Sequence, residues 1–437
     1  MADLNLKQSI VNLMESLTIH GFPKIIRSKF KLLKLWWLTL TLISISLAIL
    51  FIRQTLIEYF RYNVITEVRI VDVSEIEFPT ITICNLNKFS TTESFDYYRN
   101  LTRLYQNVYG NQSMKEIKNT YASILFNDTK YEQKKLFTKP IEYMLTKCKM
   151  TYSTRNQECK PADFEWLFNK RYGNCFRFNT HQKNKSMIKI DEFGLGKGLR
   201  LELDLSLPPE LNNLTRIKGV YLSIDDRSVN PYIDFEDIIL VPTGLETNIL
   251  IDKSIFHKYP KPYSTCDFDV YDLSASSYYT ENSIYFKAIE SDPSYLYTQS
   301  LCLEICRLNF YLDRCDCASY SSSIRLGKNK NHCSTYKELE CYYRTRDEIN
   351  RNKSYYREKC LTQCPLECNR VKYIYTVTSQ KIDIDVHNNL DNVEDHVHLN
   401  IYFGSLSFMN YKELPSMTPF ELVSNLGGTL GIFLGIR

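Results

Sequence analysis

The sequence predicts an α+β membrane protein, with an N-terminal transmembrane helix, a large disulfide-rich ectodomain and the truncated start of a second transmembrane helix. Three observations carry that prediction. Leu35–Ile52 reads LWWLTLTLISISLAILFI, eighteen residues without a charge. All fourteen cysteines lie downstream of it, between Cys84 and Cys368. The chain between the two apolar segments mixes alternating, β-rich stretches with stretches of helical spacing. Composition agrees: 437 residues with 44% hydrophobic and 24% charged side chains fit a folded protein. With 54 Lys+Arg against 50 Asp+Glu, the net charge of +4 is too small and too dispersed for phosphate neutralisation. No nucleic-acid partner is expected.

At the helical rise the first apolar run covers roughly 27 Å, close to a hydrocarbon core. A buried soluble helix would carry a polar stripe. A cleaved signal peptide would have a shorter charged head and a small-residue cleavage site, whereas 34 residues precede this run and Arg53-Gln54-Thr55 follows it. Lys24, Arg27, Lys29, Lys31 and Lys34 supply five cations and no acid among residues 24–34. The positive-inside rule puts them in the cytoplasm and the bulk of the chain outside. The predicted domains are a cytoplasmic N-terminus at 1–34, a first span at 35–56, an extracellular region at 57–419 and the start of a second span at 420–437.

Two further patterns fit that orientation. Asn-x-Ser/Thr sequons begin at Asn100, Asn111, Asn127, Asn184, Asn213 and Asn352, all beyond the first span. Nine of the cysteines crowd into residues 302–368 as CLEIC, CDC, Cys333, Cys341 and CLTQCPLEC. In an oxidising compartment an even number reads as disulfides. Zinc is the rival, with His332 beside Cys333, but paired CxxC knuckles are lacking.

Within the predicted ectodomain, Ile65–Asn85 alternates and should enter a sheet, and residues 90–150 show helical spacing in polar surroundings. LRLELDLSL (199–207), Gly219–Ile224, Tyr373–Thr378 and His398–Phe408 read as strands. Ser300–Leu312 has helical spacing with Cys302 and Cys306 one turn apart, so disulfides should pin a helical hairpin to the sheet. The last segment, FELVSNLGGTLGIFLGIR, is apolar and rich in small residues, and glycines in such a run favour close helix packing in lipid. Leu426–Ile436 is eleven residues, about half of a crossing.

Taken in order, His20-Gly21, one span, FPTITICNLNKF (78–89), GNCFRFN (173–179), the ladder ending CPLECNRVKYIYTVTS, and SNLGGTLGIFLG resemble the epithelial sodium channel, degenerin and acid-sensing channel family over nearly the whole chain. The resemblance implies a trimeric, amiloride-sensitive sodium channel of the plasma membrane, homomeric or heteromeric. It implies two spans per subunit and an ectodomain of palm sheet, finger and thumb. It also implies the pairs Cys84–Cys175, Cys148–Cys159, Cys266–Cys368, Cys302–Cys364, Cys306–Cys360, Cys315–Cys341 and Cys317–Cys333. His20 and Gly21 match the family's cytoplasmic gating dipeptide. Tyr62 and Tyr263 occupy the places of an aromatic pair at the neck, with ordinary aromatic packing as the alternative. Ser424 matches the position where a bulky replacement holds such channels open.

The sequence also departs from that family. Its filter is Gly, a small residue, then Ser, whereas this chain reads Gly435, Ile436, Arg437. A ring of arginines would repel sodium, and charge at bilayer depth is costly. A truncated product is the expectation, conducting nothing by itself. In place of the acid-sensing branch's histidine and acidic pairs stand Asn63-Val64 and Arg69-Ile70, which argues against proton gating.

Enzyme chemistry finds no support: there is no G-x-S-x-G, H-E-x-x-H or glycine phosphate loop, and no cofactor is expected. His396 and His398 share a strand face but lack a third metal ligand. Asp225-Asp226 and the Asp234, Glu236, Asp237 cluster read as turn acids, with a calcium site or a ligand sensor as alternatives. Three readings remain open: a sodium channel subunit, a non-conducting modulatory subunit, and a single-pass disulfide-rich receptor or adhesion ectodomain. The extracellular ligand, if any, is not readable.

Overall fold

The computed structural model describes residues 21–87, 90–96, 99, 135–152, 155–169, 172–180, 187–212, 218–227, 238–267, 298–317, 333, 336–382 and 393–435. In chain order it opens with helices α1 (Phe22–Arg27) and α2 (Lys31–Phe60) and strands β1 (Val64–Asp72), β2 (Ile76–Glu77) and β3 (Thr80–Asn85). Next come β4 (Leu145–Tyr152), β5 (Arg155–Glu158), β6 (Phe164–Asn169), β7 (Gly173–Phe178), β8 (Lys189–Ile190) and β9 (Gly198–Asp204). Then follow β10 (Gly219–Asp225), β11 (Ile239–Pro242), β12 (Leu245–His257) and β13 (Cys266–Asp267). Three helices, α3 (Gln299–Cys315), α4 (Tyr336–Arg351) and α5 (Lys353–Gln363), lead into β14 (Leu366–Glu367), β15 (Asn369–Lys381), β16 (His396–Pro415) and helix α6 (Pro419–Leu434).

The chain divides into two compact units. One comprises Met1–Glu67, Lys258–Thr265 and Lys412–Arg437, and holds the apolar helices; the other comprises Val68–His257 and Cys266–Tyr411. Within the second unit two sheets carry the core. The larger runs β15-β12-β16-β9-β4-β5, with β1 also pairing β16, and the smaller runs β11-β10-β3-β7-β6. Strand β9 shows how the sequence builds the first: Leu199, Leu201 and Leu203 are buried while Arg200, Glu202 and Asp204 alternate with them. Gly198 starts that strand at φ +83°, and a Cβ there would lie 2.3 Å from the Ile401 carbonyl, so only glycine admits the neighbouring strand. Strand β3 has β10 on one side and β7 on the other, and all six of its residues are buried. Its register sets Cys84 opposite Cys175, and a disulfide joins them across the pair.

In α3, Cys302 and Cys306 face α5 and bond Cys364 and Cys360. Cys315 bonds Cys341 of α4, and Cys317 bonds Cys333. Cys266 bonds Cys368 beside the parallel β13–β14 pair, and Cys148 bonds Cys159. No free cysteine remains.

The helix that carries the 35–56 segment runs from Lys31 to Phe60, because Lys31–Lys34 and Ile57–Phe60 continue the same turn pattern without a breaker. Other sequence expectations need correction. Among the described part of residues 90–150, Leu145–Tyr152 is a strand rather than helix. Among the described residues the cysteine-dense block holds three helices, α3, α4 and α5, rather than a hairpin. Ahead of the cysteine-dense residues 302–368 lie two strands that the sequence reading does not name, β11 and the thirteen-residue β12.

Candidate gating site at the apolar helices

The site lies within the first unit. Among the described residues α2 is the one helix long and apolar enough to cross a membrane. A stripe of small residues runs along it, and Thr41 and Ala48 are its buried positions. Between them Ser44 Oγ donates to the Phe433 carbonyl at 2.5 Å, and Phe51 stacks on the Phe433 ring with centroids 5.4 Å apart. Small side chains let α6 approach, and in an apolar medium a hydroxyl without such an acceptor would be costly.

Helix α6 starts on a capping box: Thr418 Oγ1 accepts from the Glu421 amide at 3.2 Å, and the Glu421 carboxylate accepts from the Thr418 amide at 2.7 Å. Pro419 follows at the first helical position, where its missing N–H costs nothing. Ser424 is exposed one turn on. A Cβ on Gly427 or Gly428 would meet nothing within 4 Å, so this chain leaves the glycine face of α6 open. Gly435 ends the helix in the left-handed region at φ +68°, its amide bonded to the Gly431 carbonyl. Ile436 and Arg437 lie outside the described residues.

At the other end of α2 an aromatic knot forms. Tyr62 turns out of the helix at φ +52° and its ring meets Tyr263 at 5.3 Å. Tyr259 meets Tyr263 edge-on at 5.1 Å, and Tyr59 approaches Tyr62 at 6.3 Å. Partial removal from water, then the neighbouring tyrosines, pushes the Tyr263 hydroxyl above its ordinary range, so its phenol stays neutral. Polar bonds fasten the knot: the Ser416 amide donates to the Asn63 carbonyl at 2.9 Å and the Tyr259 amide donates to Glu413 Oε2 at 3.1 Å. Ser264 Oγ donates to the Tyr259 carbonyl.

At the head of α2, Gly21 stands at φ +102° against Thr41, whose Oγ1 donates to the Trp37 carbonyl. The Lys24 ammonium lies 4.3 Å over the Trp37 ring. His20 lies outside the described residues, as do Asn100, Asn111, Asn127, Asn184 and Asn213. Asn352 is exposed at the start of α5. His398 faces Glu202 across the β16–β9 pair at 3.8 Å, and among the described residues no three potential metal ligands cluster. Asp225 ends β10 and accepts from Ser223 Oγ; Asp234, Glu236 and Asp237 lie outside the described residues.

The structure thus brings Tyr62 to Tyr263 and leaves Ser424 apart from both. Sequence reasoning misses Thr41, Ser44 and Glu413, and reads Asn63 only as a departure from the acid-sensing branch. The available signal is the alternation of hydroxyl residues through the apolar run, since polar side chains there need partners.

A family model described as amiloride-sensitive sodium channel matches residues 13–436. The bile acid-sensitive ion channel of Rattus norvegicus is 25% identical over 96% of this chain and 83% of its own length. The acid-sensing ion channel 1 of Gallus gallus is 23% identical over 98% of this chain and 81% of its own. The epithelial sodium channel subunit beta of Xenopus laevis is 27% identical over 64% of this chain and 43% of its own. A match that takes in both apolar helices and every cysteine between them leaves one assignment: this chain belongs to the amiloride-sensitive sodium channel family, a family of ion channels and not of enzymes.

Proposed function

We propose that the chain is one subunit of a trimeric, amiloride-blocked sodium channel of the plasma membrane. The family match over residues 13–436 carries the reading. In it, residues 1–34 are cytoplasmic, α2 is the first span, residues 57–419 form the extracellular palm, finger and thumb, and α6 opens the second span. The basic cluster Lys24–Lys34 supports that orientation. The open glycine face of α6 supports its packing against copies of itself around a pore, because glycines admit close backbones. Gly21, Tyr62, Tyr263 and Ser424 are assigned to gating, and the segment from Gly435 to the entry of the filter.

The test is current recorded from cells expressing the subunit, alone and with related subunits. The expected result is an inward current when related subunits are present, carried by sodium, lost when a large organic cation replaces it and reduced by amiloride. Protein at the cell surface without any such current in either setting would overturn the reading. Glycosidase treatment should lower the chain's mass, and a tag before Met1 should bind antibody only after permeabilisation. An externally reachable N-terminus would overturn the orientation.

A further inference from the structure

Four threonine hydroxyls on the two apolar helices bond back to their own helix. Thr39 donates to the Trp36 carbonyl at 2.8 Å, Thr41 to Trp37 at 2.7 Å, Thr55 to Phe51 at 3.0 Å and Thr429 to Asn425 at 2.8 Å. This is the local refuge of a hydroxyl that has left water. Ser44 does otherwise: its Oγ donates across to the Phe433 carbonyl of α6 at 2.5 Å, 389 positions away. Close packing alone would be served by alanine, as at the buried Ala48 one turn on, so the hydroxyl needs a reason of its own.

The acceptor supplies one. Helix α6 ends at Leu434, where the buried Gly435 donates to Gly431 and turns the chain out of the helical path at φ +68°. The last carbonyls of a helix have no helical donor ahead of them, and in an apolar medium a bare carbonyl is costly. Ser44 brings a donor to Phe433 from the neighbouring helix. Two turns along the same face of α2, the Phe51 ring stacks on the Phe433 ring at 5.4 Å. One residue of α6 is thereby gripped at backbone and side chain together, just before the turn.

We infer that Ser44 is a positioning residue for permeation: its hydroxyl caps the last turn of α6 and fixes the place at which Gly435 turns the chain. The inference rests on the channel reading, in which the segment from Gly435 enters the filter. The cap itself is a property of α2 and α6 alone. Without the hydroxyl the Phe433 carbonyl must find another donor by rewinding the closing turn, which shifts the groups that follow it relative to the ion path.

Two measurements test this. In cells whose current depends on the subunit, Ser44→Ala should change the sodium-to-potassium permeability ratio at least about threefold, the effect of one interhelical hydrogen bond in lipid, at unchanged surface biotinylation. Ser44→Thr keeps a hydroxyl and should stay near the wild-type ratio. A normal ratio for Ser44→Ala, or lost delivery with the ratio intact, would reduce Ser44 to helix packing and overturn the inference. So would equal shifts from alanine and threonine, since side-chain size would then be the cause. The second measurement needs no current. Phe51→Cys with Phe433→Cys, oxidised in membranes by copper phenanthroline, should give a disulfide-linked peptide pair by mass spectrometry, and adding Ser44→Ala should slow its formation by a similar factor. An unchanged rate would overturn the cap. Absence of any current that depends on the wild-type subunit would overturn the channel reading instead, and the cross-linking rate would still decide the cap.

Discussion

The Tyr62 ring meets the Tyr263 ring edge-on, centroids 5.3 Å apart and planes at 82°, although 201 positions separate them in the chain. Such a contact contributes about 0.5–1.5 kcal/mol beyond area burial. If the pair gates the channel, Tyr62→Ala and Tyr263→Ala should each change open probability. The double variant should be no worse than the stronger single one, because both remove one contact. Tyr263→Phe should behave as wild type, since the hydroxyl stays neutral and the ring makes the contact. Strict additivity in single-channel records would show that the rings act separately.

Gly21 predicts a steric phenotype. A Cβ at this position would lie 2.2 Å from Thr41 Oγ1, and φ +102° is itself unfavourable for an L side chain. Gly21→Ala should therefore displace α1 and reduce current by an amount that surface biotinylation shows is not lost delivery. Adding Thr41→Ala should restore part of it, since the clash is relieved while the backbone strain of about 1–2 kcal/mol persists. No recovery at all would mean that Thr41 is not what Gly21 accommodates.

Asp204 sets a pH-dependent contribution in the second unit. Burial alone would raise its carboxyl, but hydrogen bonds from Lys139, at 2.5 Å, and from Ser206 outweigh that and hold it below its ordinary value of 3.8. A carboxyl depressed on folding stabilises above its unfolded pKa, and the contribution is lost as pH falls through the folded one. Asp204→Asn should cost about 1.5–3 kcal/mol at neutral pH. The gap in thermal unfolding of the solubilised protein should close below pH ~4. A gap of the same size at pH 7 and pH 3 would remove the carboxylate from the account.

What is legible in the sequence is what physics writes locally. A charge-free run bounded by cations declares the span, and Leu199, Leu201 and Leu203 declare β9 by alternation. Strand β12 hides because its buried positions include Thr247 and Lys253, and Lys253 is tolerated there by Glu77 at 3.1 Å, a partner 176 residues away. The Ser416–Asn63 bond is main chain to main chain, so no side chain announces it. Tyr62 and Tyr263 come together in sequence reading only through the family resemblance, because neither residue's neighbours signal an aromatic partner.

The cysteines give the last prediction. All fourteen are paired, and Cys266, Cys317, Cys333, Cys360, Cys364 and Cys368 are almost wholly buried. Thiol counting on denatured, unreduced protein should therefore find essentially none free. The Cys266–Cys368 bond closes a loop with a sequence separation of 102, the longest of the seven. Loop-closure entropy makes it the most consequential to remove, about 2–5 kcal/mol. Cys148–Cys159 closes a separation of only 11 and should cost less. Cys266→Ser should therefore reduce surface delivery more than Cys148→Ser does. Each double variant, lacking both partners, should fare no worse than its single, because an orphaned thiol is not left to mispair. Equal losses for the long and short loops would show that packing around the sulfurs, and not chain restriction, governs their contribution.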